Sequence, residues 1–333
     1  MNERDALRAL AADLPHAGDD AAVVGDTVIT TDMLHERTDF PPGTTRYTAG
    51  WRAVGASLSD IAAMGADPTA AVAVYADESF ESAALERFVA GAVDVCEAVD
   101  AEYVGGDLDT HAEFTTASTA IGDVTEHGPV TRSGAAPGDA LCVTGEWGRS
   151  AAALRLFERG AGGKSEEGDE RGKGGERGGR GGTGGEAPID TDPAPTADES
   201  IERANDLFRF TPRVADGLAL AGDATAMMDS SDGLARSLHQ LAEAAEVGFA
   251  LDTDALPVHP AVDDVADDSA ERFALAAHFG EDFELVCTIP EPALDRVRER
   301  CPSGLVCVGS VVDADGGVTA DGEPLPDRGY THG

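Results

Sequence analysis

Lysine is almost missing from this chain. In 333 residues only Lys164 and Lys173 occur, both in one glycine-rich stretch, and every other basic position is arginine or histidine. Lys+Arg number 24 against 63 Asp+Glu, a formal net charge of -39. A surface of that sign repels nucleic-acid phosphates and anionic membranes, so neither is expected as a partner. It suits a salt-rich cytosol, where screening tolerates the self-repulsion. Most carboxylates are therefore expected to be solvated surface, and any functional assignment has to be argued against that background.

Other absences narrow the chemistry. No GxxxxGK[ST] loop is present and no GxGxxG turn stands out, so a phosphate site here would lean on metal ions and arginine. There is no GxSxG elbow and no HExxH, and the 8 histidines are scattered without ligand spacing. The 5 cysteines, Cys96, Cys142, Cys287, Cys301 and Cys307, show no CxxC pair and read as reduced core thiols. No run reaches the ~18 apolar residues of a membrane span and no signal peptide opens the chain, which points to a cytoplasmic protein.

What is present is a hydrophobic share of 42%, enough for real cores. Residues 160–200 are the exception: rich in Gly, Glu and Arg and then in Pro and Asp, they read as a disordered surface insertion. The remainder alternates strand-like runs (AAVVG, TVITTD, TAAVAVYA, AEYVGG, ALCVTG, TAMMD, FELVCTI, LVCVGSVV) with helical patterns at 51–65, 82–99, 148–159, 201–220, 233–247 and 291–300. That mixture predicts an α/β or α+β fold in two halves, 1–135 and 136–333.

Aspartates recur where these elements end. AGDDAAVV holds Asp19 and Asp20, VITTDML holds Thr31 and Asp32, YVGGDLD holds Asp107 and Asp109, MMDSSDGL holds Asp229 and Asp232, and FGEDFEL holds Glu281 and Asp282. Singly, each reads as turn or capping chemistry, with Ser230 or Ser231 beginning the helix after Asp229. Asp60 is different. In GWRAVGASLSDIAAMGADP it falls opposite the apolar arc of Trp51, Val54, Leu58 and Ile61, on a face otherwise made of Ala and Ser. A carboxylate on a close-packed face is hydrogen-bonded, paired or bound to metal, and both the structural and the metal reading stay open. Hard cations such as Mg²⁺ sit between carboxylates and substrate phosphates, and Arg132 in VTRSGA is a candidate phosphate clamp.

GDDAAV, TTD with Asp39-Phe40 seven residues on, LSDIAAMGA, VGGD, TRSGAAPGD, DSSDGL and GEDFEL occur in the order and spacing of the thiamine-monophosphate kinase family, which the chain resembles over nearly its whole length. The resemblance implies a two-domain fold like that of aminoimidazole ribonucleotide synthetase. Its N-terminal domain would bind ATP and Mg²⁺ and form a homodimer through its sheets, followed by a C-terminal α/β domain. It implies transfer of phosphate from ATP to thiamine monophosphate, giving thiamine diphosphate. Carried over residue by residue, Asp20, Thr31, Asp32, Asp60, Asp107, Asp229 and Asp232 would be Mg²⁺ ligands. Gly106, Asp107, Arg132 and Ser231 would contact ATP, and Asp39, Glu281 and Tyr330 the thiamine substrate. Two positions depart from the family pattern: Asp39 stands where many relatives carry histidine, and Phe279 replaces the first glycine of GGED. The same superfamily includes a purine-precursor ligase, and a catalytically silent nucleotide- or metal-binding regulator is the alternative of another class.

Overall fold

A computed structural model describes residues 14, 16–167 and 196–329, without the side chains of 162–167. Two mixed sheets organise it. The first has the order β1-β2-β5-β3-β4, from β1 (Ala22–Val24), β2 (Thr27–His35), β3 (Asp67–Asp77), β4 (Glu102–Thr110) and β5 (Thr115–Asp123). Only β3 and β4 run parallel, joined by the crossover helix α2 (Ser82–Glu97). The second has the order β12-β11-β8-β10-β6-β9-β7, with β6 (Asp139–Thr144), β7 (Ala226–Asp229) and β9 (Leu285–Pro290) buried almost throughout. Continuous apolar runs suit strands covered on both faces. Its other strands are β8 (Val247–Leu251), β10 (Leu305–Asp313), β11 (Val318–Ala320) and β12 (Glu323–Pro324).

The first sheet behaves differently, because its residues alternate. Val28, Ala71, Ala73, Tyr75 and Ala120 point into a core shared with α1 (Arg46–Ala63) and α2. The other face is uncovered in the single chain and largely apolar: Ile29, Met33, Val72, Val74, Val104 and Ile121 are all exposed. A strand's period of two divides the residues in this way. Helix α1 is buried on nearly every side, from Thr48 to Ala63, with Thr45 capping its start by accepting from the Thr48 amide. Its small residues allow this. A Cβ added to Gly50 would lie 2.0 Å from the Phe88 carbonyl oxygen, and one at Gly91 would lie 2.0 Å from that of Tyr47, so α1 and α2 cross backbone to backbone.

Several expectations shift. Helix α1 begins at Arg46, five residues before the expected 51. The expected helix 201–220 is two helices, α4 (Ala197–Phe208) and α5 (Val214–Leu220), because Pro212 lacks an N–H and disfavours a helical residue before it. Helix α3 (Arg149–Glu167) and the start of α4 occupy both ends of the expected 160–200 insertion; residues 168–195 lie outside the described residues. The helices α6 (Leu234–Ala245), α7 (Ser269–Ala277) and α8 (Leu294–Arg298) flank the second sheet, and among them α7 was not anticipated. Neither serine caps α6: its N-cap is Gly233 at φ 104, with no side-chain cap. All five cysteines are free thiols, four of them buried. No described helix is long and apolar enough to cross a membrane.

Gly91→Ala should lower stability by about 1–3 kcal/mol, because overpacking at the α1–α2 crossing outweighs the ~1 kcal/mol that alanine gains in helix propensity. Urea unfolding should show a lower midpoint at an unchanged slope. A midpoint at or above that of the parent protein would mean the crossing relaxes freely.

Candidate active site

Four elements converge where the two sheets meet. Asp20 lies in the turn before β1, Asp32 on β2, Asp60 in the last turn of α1, and Asp229 at the end of β7. Carboxylate oxygens of Asp20, Asp60 and Asp229 lie within 4.8 Å of one another. The inward face of β2 meets the helix here: Thr30 donates to Asp60 Oδ2, and Ser57, one turn before Asp60, donates to Asp32 Oδ2 at 3.0 Å. Ser57 is held in turn by Ser118 Oγ at 2.6 Å, whose hydroxyl donates to the Ala53 carbonyl. For Asp60 the structural hydrogen bond is present, and the residue also belongs to a carboxylate cluster that could hold a metal ion.

One guanidinium answers these acids. Arg132 donates to Asp20 through Nε at 3.2 Å and Nη2 at 2.7 Å, and its amide donates to Asp19 Oδ1 at 2.8 Å. Burial disfavours its charge, but the hydrogen-bonded pair with Asp20 and attraction to Asp229 and Asp60 together outweigh burial and hold this arginine charged. The carboxyl groups go the other way. Burial, then repulsion from Asp32, Asp229 and Asp20, pushes Asp60 well above the usual carboxylate range. Burial, then repulsion from Asp20, does the same to Asp229, and burial raises Asp32 against the Ser57 hydrogen bond. Among the described residues, Asp229 Oδ2 is buried without a hydrogen-bond partner, and the nearby Ser59 hydroxyl only partly offsets the effect of burial on this carboxyl. An all-oxygen donor set with an orphaned, dehydrated carboxylate oxygen and surplus negative charge fits a hard divalent cation. Beside it lies a cavity of 820 Å³ between the N-terminal turn and α6, lined by Asp19, Thr31, Thr119, Arg132, Gln240 and Glu243. That volume is in the range of small-molecule sites.

Not every expected residue joins the cluster. Thr31 lies on the open face of β2 and donates to the Ser118 carbonyl at 2.8 Å. Asp107 sits on the far edge strand, in the row Asp107–Val74–Ala117–Met33, about 14 Å from β2 at three strand spacings. Gly106 has a backbone reason for being glycine, because a Cβ there would lie 1.8 Å from the Ala73 oxygen. Asp232 is half-buried, 3.9 Å from Arg236, and Ser231 is exposed with its carbonyl accepting from the Glu281 amide at 2.7 Å. Asp39 is buried and closes its own turn, accepting from the His35 amide at 2.6 Å and the Thr38 hydroxyl at 2.9 Å. Glu281 is buried in an ion pair with Arg52. Tyr330 lies outside the described residues. The supporting residues Ser57, Ser118 and Arg52 were not anticipated; Ser57 alone carried a signal, one helical turn from Asp60 on the same small-residue face.

Two sheets in series, with acids gathered at their junction, define a class. The chain matches the family models for AIR synthase related protein, N-terminal domain, over residues 18–124 and C-terminal domain over residues 136–321. It is 52% identical over 332 residues to the thiamine-monophosphate kinase of Halobacterium salinarum, covering 100% of both chains. The thiamine-monophosphate kinase of Stenotrophomonas maltophilia aligns with a TM-score of 0.73 and 28% identity, over 96% of this chain and 95% of that one. A likeness in fold extends to AaThiL complexed with AMPPCP and TMP, with a TM-score of 0.77 and 24% identity over 100% of this chain and 99% of that chain. The chain belongs to the thiamine-monophosphate kinase family, and its activity is that of a phosphotransferase.

The pKa directions set a sign. Asp60 and Asp229 bind protons more tightly folded than unfolded, where the ordinary value is 3.8, so in the absence of cations stability falls as pH rises above about 4. Thermal melts should therefore show Mg²⁺ raising Tm near neutral pH and having little effect in mild acid. Asp60→Asn should raise Tm without metal and lose most of the Mg²⁺ response. An unchanged Mg²⁺ shift in that variant would remove Asp60 from the cation site.

Proposed function

We propose that the chain transfers the γ-phosphoryl group of ATP directly, in line, to the phosphate of thiamine monophosphate at the junction of the two sheets. The observation that carries this placement is the largely dehydrated Asp20–Asp60–Asp229 cluster, fully buried at Asp229, with Arg132 at its edge. Asp20, Asp32, Asp60 and Asp229 would hold Mg²⁺, with Thr31, Asp107 and Asp232 as further candidate ligands. Mg²⁺ bound there would neutralise the repulsion between two highly anionic reactants. Arg132, already aimed across the cavity rim, would clamp an ATP phosphate, with Gly106, Asp107 and Ser231 as further contacts. Glu281, Asp39 and Tyr330 are the proposed contacts to the thiamine body.

The acceptor is a phosphate monoester whose second pKa is about 6, so its attacking oxygen is ionised at neutral pH. No general base is required, in keeping with a cluster that contains no histidine. Transfer would proceed without a phospho-enzyme. Residues 1–135 and 136–333 are proposed as the two domains whose junction forms the site.

The same reading includes a homodimer. The open face of the first sheet supports it: Ile29, Met33, Val72, Val74, Val104 and Ile121 are exposed side by side there, and a contiguous apolar patch of this kind marks an interaction surface. A second copy presenting the same face would cover it with the symmetry common to such interfaces.

With Mg²⁺, ATP and thiamine monophosphate in strong salt, the purified protein should form thiamine diphosphate and ADP in equal amounts. ADP without thiamine diphosphate would favour another ATP-dependent activity such as the ligase, and no ATP turnover at all the silent-regulator reading. In the same assay Asp60→Asn should lose roughly 10²–10³ in turnover, the scale of removing one preorganised charge contact. Light scattering should find a dimer that Val72→Asp converts to monomer; a Val72→Asp protein that remains dimeric would place the interface elsewhere.

A further inference from the structure

Arg52 is among the largest fully buried side chains of the described residues, and its charge lies in an unusual setting. It projects from α1 eight residues before Asp60, about 12 Å back along the same helix axis. Its Nη1 donates to the Phe208 carbonyl at 2.6 Å and its Nη2 to Glu281 Oε2. The guanidinium carbon lies 3.6 Å from the centroid of the Phe208 ring, 5.3 Å from that of Phe210 and 5.6 Å from that of Phe283. Phe210 and Phe283 stack on each other with centroids 4.2 Å apart. A buried ion pair is a poor way to gain stability, since desolvating both charges offsets most of their attraction. Orientation explains it better.

The segment that Arg52 holds is strained. Glu281 has φ 71 and Phe283 φ 53, two of the five non-glycine residues of positive φ among those described. Such conformations cost of the order of 1–3 kcal/mol each and persist only where the surroundings over-determine them. Here the fastenings are explicit. The Glu281 amide donates to the Ser231 carbonyl at 2.7 Å and the Phe283 amide to that of Ser230 at 3.2 Å. Ser150 Oγ donates to the Glu281 carbonyl at 2.6 Å, while Asp282 accepts from the amides of Gly148 at 2.6 Å and Ser150 at 2.8 Å. The Glu281 loop is thus bolted to the residues that directly follow Asp229. Helix α1 touches the C-terminal domain at both places: Asp60 meets Asp229, and Arg52 meets Glu281.

We infer that Arg52 is a positioning residue for the acceptor. It holds Glu281 at a fixed distance from the phosphoryl-transfer end, so that a phosphomonoester with a bulky cationic body is seated with its phosphate at the cluster and its body at Glu281. This rests on the kinase reading and on Glu281 as an acceptor contact. It adds a residue that acts on thiamine monophosphate without touching ATP.

Steady-state kinetics on the full chain, varying each substrate in turn, tests this. Arg52→Met should raise KM for thiamine monophosphate about 10–100-fold, the scale of one charge-assisted hydrogen bond, and leave KM for ATP within about 2-fold. Arg52→Lys should recover part of the loss. The double variant Arg52→Met with Glu281→Gln should cost no more than the worse single variant, because the two act as one unit. A residue that merely stabilised the fold would lower the active fraction and leave both KM values in place. If Arg52→Met fails to melt cooperatively, Arg52→Lys and Glu281→Gln carry the comparison. An unchanged KM for thiamine monophosphate in a folded variant, equal shifts for both substrates, or additive losses would overturn the inference. Failure of the parent protein to form thiamine diphosphate would instead overturn the kinase reading beneath it.

Discussion

Three carboxylates crowded into a nearly dry junction set the terms for the rest of this structure. Unit charges about 4 Å apart at an effective dielectric near 20 interact by about 4 kcal/mol. Asp20, Asp60 and Asp229, mutually within 4.8 Å, make three such pairs if all are ionised. Their sum is comparable with the whole stability of a typical domain, ~5–15 kcal/mol. Arg132 offsets part of this, chiefly through its hydrogen-bonded pair with Asp20 and more weakly through attraction to Asp229 and Asp60. The remainder has to be met by protons or by cations, and only cations are compatible with ionised acids at neutral pH. Repulsion that a stable fold would avoid is thus built into the place proposed to receive anionic substrates.

The fold supplies the rigidity to hold it. Helix α1 is packed on almost all sides, which its run of Gly, Ala and Ser makes possible. Asp60 therefore cannot swing away from its neighbours. Strand β2 contributes Thr30 and Asp32 from one face by its period of two, and α1 presents Ser57 and Asp60 by its helical period, so two regular elements meet in register. The same helix carries Arg52 two turns earlier, which makes α1 the common ruler for both ends of the cleft.

How far the sequence revealed this depends on the element. Each of the eight proposed strand runs overlaps a strand, with overhangs of up to two residues at its ends, because their β-branched and apolar residues are bounded by turn-forming residues. Strand β5, TTASTAIGD, was overlooked: its inward positions are Thr, Ser, Ala and Gly, too small to register as an apolar alternation, yet small because α1 packs close above them. Asp60 was legible as an acid on a small-residue face. Asp20 and Asp229 were legible only through repetition of the strand-end pattern and the family resemblance, because turns and caps use the same residues. The capping role of Ser230 or Ser231 misread MMDSSDGL, since Ser230 is spent on backbone contacts with Glu284 and Phe283 and Gly233 starts the helix. Arg52 left no trace, because its role depends on a partner 229 positions away.

Acidity therefore works in two registers in one chain. The many surface carboxylates stand in water and salt, where a Debye length of about 8 Å or less confines each charge to its neighbourhood. They are individually replaceable and say little about function. The dehydrated few are poorly solvated and weakly screened, and a buried oxygen such as Asp229 Oδ2 carries a desolvation cost that an exposed carboxylate does not. In a protein this acidic, acid content is uninformative and dehydration is only part of the signal. Convergence, not composition or burial alone, marks out the cluster: Asp39, Asp139, Asp282 and Glu284 are buried as well, but each has its own hydrogen-bond or ion-pair partners, whereas Asp20, Asp60 and Asp229 face one another.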